Sequence, residues 1–249
     1  MKAVIVVIMI CAWMVGGCGV LNALAELSPR EVLLKADESR GNLGGVEWEV
    51  SVLSKEADRT SEMSFFVQAR GFDVLATTLT PPKDKGNKIL LLNGNMWFHK
   101  PGLSKPVPIS QRQKLLGIAS YGDIASTNYA NDYDATPERD EIVNQELCYV
   151  YDLKSKSTKT TYDRIRYWIA RERLVGVKAE YFTLSGKMLK TATMEYAHSI
   201  QIEGNARPFI SKIYIRDVLM AANETTLSFL KTSIKDIPDH VYNLNLLVK

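Results

Sequence analysis

Apolar side chains fall on every second position through the first third of the chain. Val46, Trp48, Val50 and Val52 alternate with Glu47, Glu49 and Ser51, and Met63, Phe65, Val67 and Ala69 alternate with Ser64 and Gln68. A period of two is that of a half-buried strand, with one face in the core and one in water. Arg70-Gly71 then turns the chain into Phe72, Val74 and Ala76. Ile89 to Leu92 meets Asn93-Gly94, and a second run continues through Met96 and Phe98. Asn-Gly supplies two residues that tolerate positive φ, as a tight type I′ hairpin turn requires. The segment before these strands has a different rhythm. Ser28 caps, Pro29 suits a first helical turn, and Val32, Leu33 and Ala36 share one face, so a short helix is predicted there. Gly41, Gly44 and Gly45 end it.

The middle of the chain breaks the pattern. Leu103 to Glu146 carries Pro106, Pro108 and Pro137, with an Asn/Asp/Tyr-rich stretch from Tyr121 to Asp134. A short helix is expected over Gln111 to Ile118, and the rest reads as a long ordered loop, a kind of segment that often serves function. Strand rhythm resumes at Leu147 to Asp152 and Thr160 to Ala170. Val175 to Leu184 and Met188 to Tyr196 flank Ser185-Gly186, a second hairpin signal. Ala206 to Val218 and Thr225 to Thr232 complete the set. Nine or more strands in mostly hairpin order predict a mainly β protein with a few helices. Its form would be a strongly curved antiparallel sheet or incomplete β-barrel, with a helical lid over the mouth.

The N-terminus bears on compartment. Lys2 precedes an apolar run from Ala3 to Val15, and Ala23-Leu24-Ala25 follows. A basic start, an apolar core and an Ala-x-Ala end are the parts of a secretory signal peptide, with cleavage expected after Ala25 and one domain over 26–249. Two alternatives stay open. Val15-Gly16-Gly17-Cys18 approximates a lipobox, which would anchor the chain through an acylated Cys18, and about 20 apolar residues can also span a bilayer uncleaved. Loss of Lys2 with the leader lowers the formal net charge from +3 to +2. With basic and acidic residues interspersed, a nucleic-acid partner is not expected. Cys148 is the one cysteine certain to survive processing, so stability must come from an apolar core rather than a disulfide framework.

Candidate chemistry is sparse. His99, His198 and His240 are scattered, and no Cys-x-x-Cys or His-x-x-x-His pair occurs, so neither metal nor cofactor is expected. The Gly-x-Ser-x-Gly elbow of a hydrolase is absent. Asp123, Asp132 and Asp134 lack the glycine-centred spacing and terminal glutamate of a calcium loop. No catalytic residue is assigned, and an enzyme acting on lipids is disfavoured. The binding face is the more promising feature. Trp48, Val50, Phe65, Val67, Met96 and Phe98 are the candidates for an apolar groove, against the plainer reading that they are ordinary core. In such a groove a charge at Phe65 is expected to harm binding more than folding, because the empty site could stay wet. Gly122 and Asp123 are assigned to the architecture of the long loop, and Arg164 and Arg166 to pairs with acids on the sheet face or, as the alternative, to a lipid headgroup at the rim. Cys148 is read as a small buried hydrophobe.

Several segments, taken in order, resemble a known family. They are Ala36-Asp37-Glu38-Ser39-Arg40-Gly41, the hairpin from Lys85-Gly86 to Pro101, Gly122-Asp123-Ile124-Ala125, Tyr162 to Trp168, and Val177 to Phe182 through Ser185-Gly186-Lys187 to Lys190-Thr191. Together they resemble the outer-membrane lipoprotein-sorting proteins, the LolA-like family, over nearly the whole chain after Ala25. That resemblance implies a half-open antiparallel barrel with a helical lid, in the periplasm, whose apolar cavity shields the acyl chains of a lipoprotein or another lipid. It implies transient membrane contact, and the broad LolA-like branch that the chain resembles includes accessories of inner-membrane exporters of the resistance-nodulation-division type. The alternative function is a periplasmic lipid- or lipoprotein-sensing module of the RseB-like kind.

Overall fold

The computed structural model describes residues 27–125, 127–202 and 204–248. The expected signal peptide, with Cys18, lies outside the described residues. Helix α1 (Pro29–Glu38) starts as the sequence predicts. Ser28 and Glu31 form a reciprocal capping box and Pro29 opens the first turn, so orphan N–H groups at that end are satisfied. Beyond the helix Gly41 takes φ +106°, a backbone state that favours glycine, and the chain there lies against the Trp48 indole, where a Cβ would collide.

Five strands follow in meander order: β1 (Val46–Glu56), β2 (Arg59–Arg70), β3 (Asp73–Thr80), β4 (Lys88–Leu92) and β5 (Asn95–His99). Asn93 and Gly94 both have positive φ in the β4–β5 turn, as expected of Asn-Gly. Next come β6 (Val107–Ile109) and a small hairpin, β7 (Lys114–Leu116) with β8 (Ala119–Ser120). This hairpin replaces the helix expected over Gln111 to Ile118, because Gly117 at φ +56° turns the chain back on itself. The Asn/Asp/Tyr-rich stretch holds one turn of helix, α2 (Tyr129–Asp132), and β9 (Tyr133–Pro137) rather than loop alone.

The second half contains β10 (Glu141–Val143), β11 (Glu146–Ser155), β12 (Arg164–Ala170), β13 (Val175–Phe182) and β14 (Met188–Glu195). After it come β15 (His198–Ile202), β16 (Asn205–Phe209), β17 (Lys212–Asp217) and β18 (Glu224–Ile234). The expected strand from Ala206 to Val218 is therefore two strands, and β15, paired with β16 as a hairpin, is additional.

The large sheet runs β10-β11-β12-β13-β14-β17-β18-β1-β2-β3-β4-β5-β6, with β9 added beside β11 and every pairing antiparallel. The β18–β1 pair joins the two meanders, Val50 standing opposite Phe229. The path ends at β10 and β6, so the sheet is not closed into a barrel. Register shifts in the β1–β18, β2–β3, β12–β13 and β13–β14 pairings mark irregularities of the bulge type, which bend strands and increase twist. One face, here called the inner face, carries the main apolar cluster. On it pack Val32, Leu33 and Ala36 of α1, Leu115 and Leu116 of β7, and Ile124. The outer face carries ion pairs beside two smaller apolar clusters, one around Cys148, Val150 and Trp168 and one where Ile237, Tyr242 and Leu247 cover Leu90. Arg164 bonds Asp152, and Arg166 reaches Glu138 and Glu141 at 2.7 Å each, as the strand alternation predicts. Cys148 is buried and free. No helix among the described residues is long and apolar enough to cross a membrane.

Candidate functional site

The six proposed groove residues occupy one face of adjoining strands. Trp48 stands opposite Val67 and Val50 opposite Phe65 across β1 and β2, while Met96 and Phe98 of β5 face Leu91 and Ile89 of β4. All belong to the inner-face cluster or pack against it. Trp48 also meets Phe209 and Phe229, each with ring centroids at 6.3 Å. In this conformation the surface is covered by the chain's own segments. Phe65, Val50 and Val67 are 0 % exposed, so the wet empty groove expected from the sequence is not the state seen here.

Part of that cover is the segment from β7 through Ile124, and Asp123 holds it down. The Asp123 carboxylate accepts the Ser120 N–H at 2.8 Å, the Tyr162 hydroxyl at 2.6 Å and the Lys190 ammonium at 3.0 Å. Lys190 Nζ also donates to the Ile118 carbonyl at 2.8 Å, and both side chains of the pair are under 10 % exposed. Gly122 allows close passage over Thr161, whose hydroxyl a Cβ would strike, and Gly117 does the same over Ser54 and Thr225. The Ile118 N–H donates to Thr225 Oγ1 at 3.1 Å, tying the hairpin to β18. Gly122 and Asp123 thus sit where the covering segment meets β14 and the chain entering β12.

Beyond α1 the inner face changes character. Tyr129, Tyr133, Tyr162, Tyr167 and Tyr181 gather there, and burial raises every one of their phenols above the ordinary value, leaving neutral hydroxyls. Tyr162 and Tyr181 stack at 4.0 Å, and the Lys190 ammonium lies over the Tyr162 ring. Two charged groups enter this cluster from the α1 end, Asp37 and Arg40. Asp37 Oδ2 accepts the Ala130 N–H at 2.9 Å and so joins α1 to α2. A cleft of about 490 Å³ opens beside them, lined by Arg40, Leu91, Asp123, Tyr129, Tyr133 and Tyr162 among others. Sequence reasoning passed over this cluster. Its signal was present in Ala36 to Gly41 and in the tyrosines, but no local period connects them.

Asp37 makes a pH prediction possible. Burial pushes its carboxyl from the ordinary 3.8 up to about 7, against the smaller opposing pull of the Ala130 and Tyr129 N–H groups and Arg40. The folded state therefore holds this proton more tightly than the unfolded chain does. The contribution is fully present below about pH 4 and is lost as pH rises through about 7. Asp37→Asn keeps an acceptor for the Ala130 N–H and removes the titration. Thermal melts between about pH 5 and about pH 8 should fall less steeply for the variant than for the wild type. Parallel curves would show that Asp37 does not titrate in this range.

A family model described as an uncharacterized protein matches residues 73–249, and the chain belongs to that family. No curated protein matches by sequence. Among solved structures, a LolA superfamily protein from Nitrosomonas europaea is similar at 26% identity and TM-score 0.78, covering 87% of this chain and 98% of its own. A domain from Vibrio parahaemolyticus described as outer membrane lipoprotein-sorting shares 16% identity at TM-score 0.74, over 88% of this chain and 98% of that one. A DUF1329 family protein from Desulfovibrio piger shares 17% identity at TM-score 0.72, over 88% and 97%. The resemblance to LolA-like proteins read from the sequence therefore holds for the fold.

Proposed function

We propose that this LolA-like chain is a periplasmic carrier that shields an acyl chain, of a lipoprotein or another lipid, during transfer toward the outer membrane. The observation that carries the reading is the inner face of β1 to β5. Its continuous apolar surface is covered by short separate elements, the β7–β8 hairpin and Phe209 of the β15–β16 hairpin, with α1 in the same cluster, rather than by a second large sheet. A helix and a short hairpin can be displaced while the ladder of the sheet stays intact. An acyl chain entering in their place recovers about 0.8 kcal/mol per buried methylene. The empty protein thus keeps its groove filled with its own lid, and loading exchanges lid for cargo. The basic, apolar and Ala-x-Ala parts of residues 1–25 support export, with cleavage after Ala25 or acylation at Cys18. The sequence resemblance to the broad LolA-like branch supports an inner-membrane exporter of the resistance-nodulation-division type as donor.

Protein purified from the periplasm should retain an acyl ligand, seen as added mass in native spectra and recovered by lipid extraction. Hydrogen exchange of loaded and delipidated protein should then show faster exchange in α1 and residues 114–125 on loading, with β1 to β3 unchanged. Protein that neither carries nor takes up lipid would end the carrier reading.

A further inference from the structure

Arg40 brings a buried guanidinium that is not fully partnered. Its side chain follows α1 into the tyrosine cluster, where the residue is 8 % exposed and the guanidinium stands 5.4 Å from the Tyr129 ring centroid. Nη1 is buried with no hydrogen-bond partner, and Arg40 makes no ion pair among the described residues. Guanidinium cannot shed its charge by deprotonation. A buried guanidinium N–H without an acceptor is unfavourable, so this position is suited to receive one.

The other charged groups around the cleft are engaged. Arg70 pairs with Asp239 at 2.7 Å and donates to the Ile237 carbonyl. Asp123 is held by Lys190, Asp73 accepts the Asn93 N–H, and Asp132 accepts from the Asn128 side chain. Asp37, three residues before Arg40, is the acid that feels the Arg40 charge; its Oδ2 accepts the Ala130 N–H, and its Oδ1 is buried without a hydrogen-bond partner. These carboxylates repel a polyanion and leave room for one compact anionic group at Arg40. Leu91 lines the same cleft and belongs to the apolar inner-face cluster, where it stands opposite Met96. The polar cleft and the apolar face are therefore continuous through Leu91.

We propose that Arg40 seats the anionic headgroup, a carboxylate or a phosphodiester, of an amphiphile whose tail passes Leu91 onto the inner face. The inference rests on the carrier reading and adds the charge class of the cargo. One group on Arg40 forms charge-assisted hydrogen bonds that a neutral hydroxyl does not match.

The test uses hexadecanoate and hexadecanol, which share a tail length and differ in head charge. Each displaces a neutral fluorescent alkyl probe from delipidated protein, below micellar concentrations. Hexadecanoate should bind about tenfold more tightly or better, and Arg40→Gln should abolish that contrast. Equal affinities in the wild type would overturn the headgroup assignment and leave the carrier reading standing. Binding of neither ligand would remove the carrier reading, and this inference with it. Inorganic phosphate is the third arm. Protection of Arg40 by phosphate alone, with no preference for hexadecanoate, would make this a free-anion site and overturn the headgroup assignment. Should Arg40→Gln fail to fold, the wild-type contrast between the two heads decides alone.

Discussion

Asp123→Ala is expected to cost about 3–5 kcal/mol of stability, because it leaves the Lys190 ammonium buried without its counter-charge. Lys190 would keep the Ile118 carbonyl at 2.8 Å, a long contact to Ser120 Oγ and its place over the Tyr162 ring, and the Tyr162 hydroxyl would lose its acceptor. The Ser120 N–H would lose its partner as well. Lys190→Met should be damaging for the mirror-image reason. The double variant Asp123→Ala/Lys190→Met should recover much of the loss, since it removes both buried charges together. Urea unfolding of the four proteins measures the coupling directly. The same network fastens the β7–β8 hairpin over the inner face, so the single variants should also expose residues 114–125 to hydrogen exchange. A loss below about 1 kcal/mol would place this pair with ordinary surface ion pairs.

Phe65→Ala should cost about 3–5 kcal/mol, in the range for truncating a buried aromatic ring. Phe65 is fully buried between the sheet and its cover, so Phe65→Glu should be worse, with an unpaired charge to desolvate. This reverses the order expected of a wet groove, in which binding would suffer before folding. The alanine variant now gives the sharper functional test. If the inner face accepts acyl chains, the space left by the ring is apolar and can be filled by a lipid tail, as apolar cavities in other proteins accept apolar ligands. Added lipid should therefore raise the melting temperature of Phe65→Ala by more than it raises that of the wild type. A destabilised variant that gains nothing from lipid would mean that Phe65 is packing alone and lines no groove.

Local order was legible because its causes are local. The capping box at Ser28 and Glu31, the period-two runs through Trp48 and Phe65, and Asn93-Gly94 each act within a few residues. The mainly β class follows from them. Where a short apolar run suits either period, the chain alone did not decide. Leu115, Leu116 and Ile118 read as a helical stretch, yet they form the covering hairpin because Gly117 turns tightly against Ser54 and Thr225. The β15 strand, five residues long, was too brief to stand out as an alternation. Tertiary structure alone placed β18 beside β1, since strand pairing joins segments whose separation no local pattern records. It also brought Asp123 to Lys190, and Arg40 to Tyr129, Tyr167, Tyr181 and Tyr196. What the groove residues are depends on this as well. Alternation puts Trp48, Val50, Phe65 and Val67 on one face, but only the packing of α1 and the hairpin determines whether that face meets water, lipid or the protein itself. Burial is a property of what lies opposite a side chain, and here what lies opposite is supplied by distant parts of the chain.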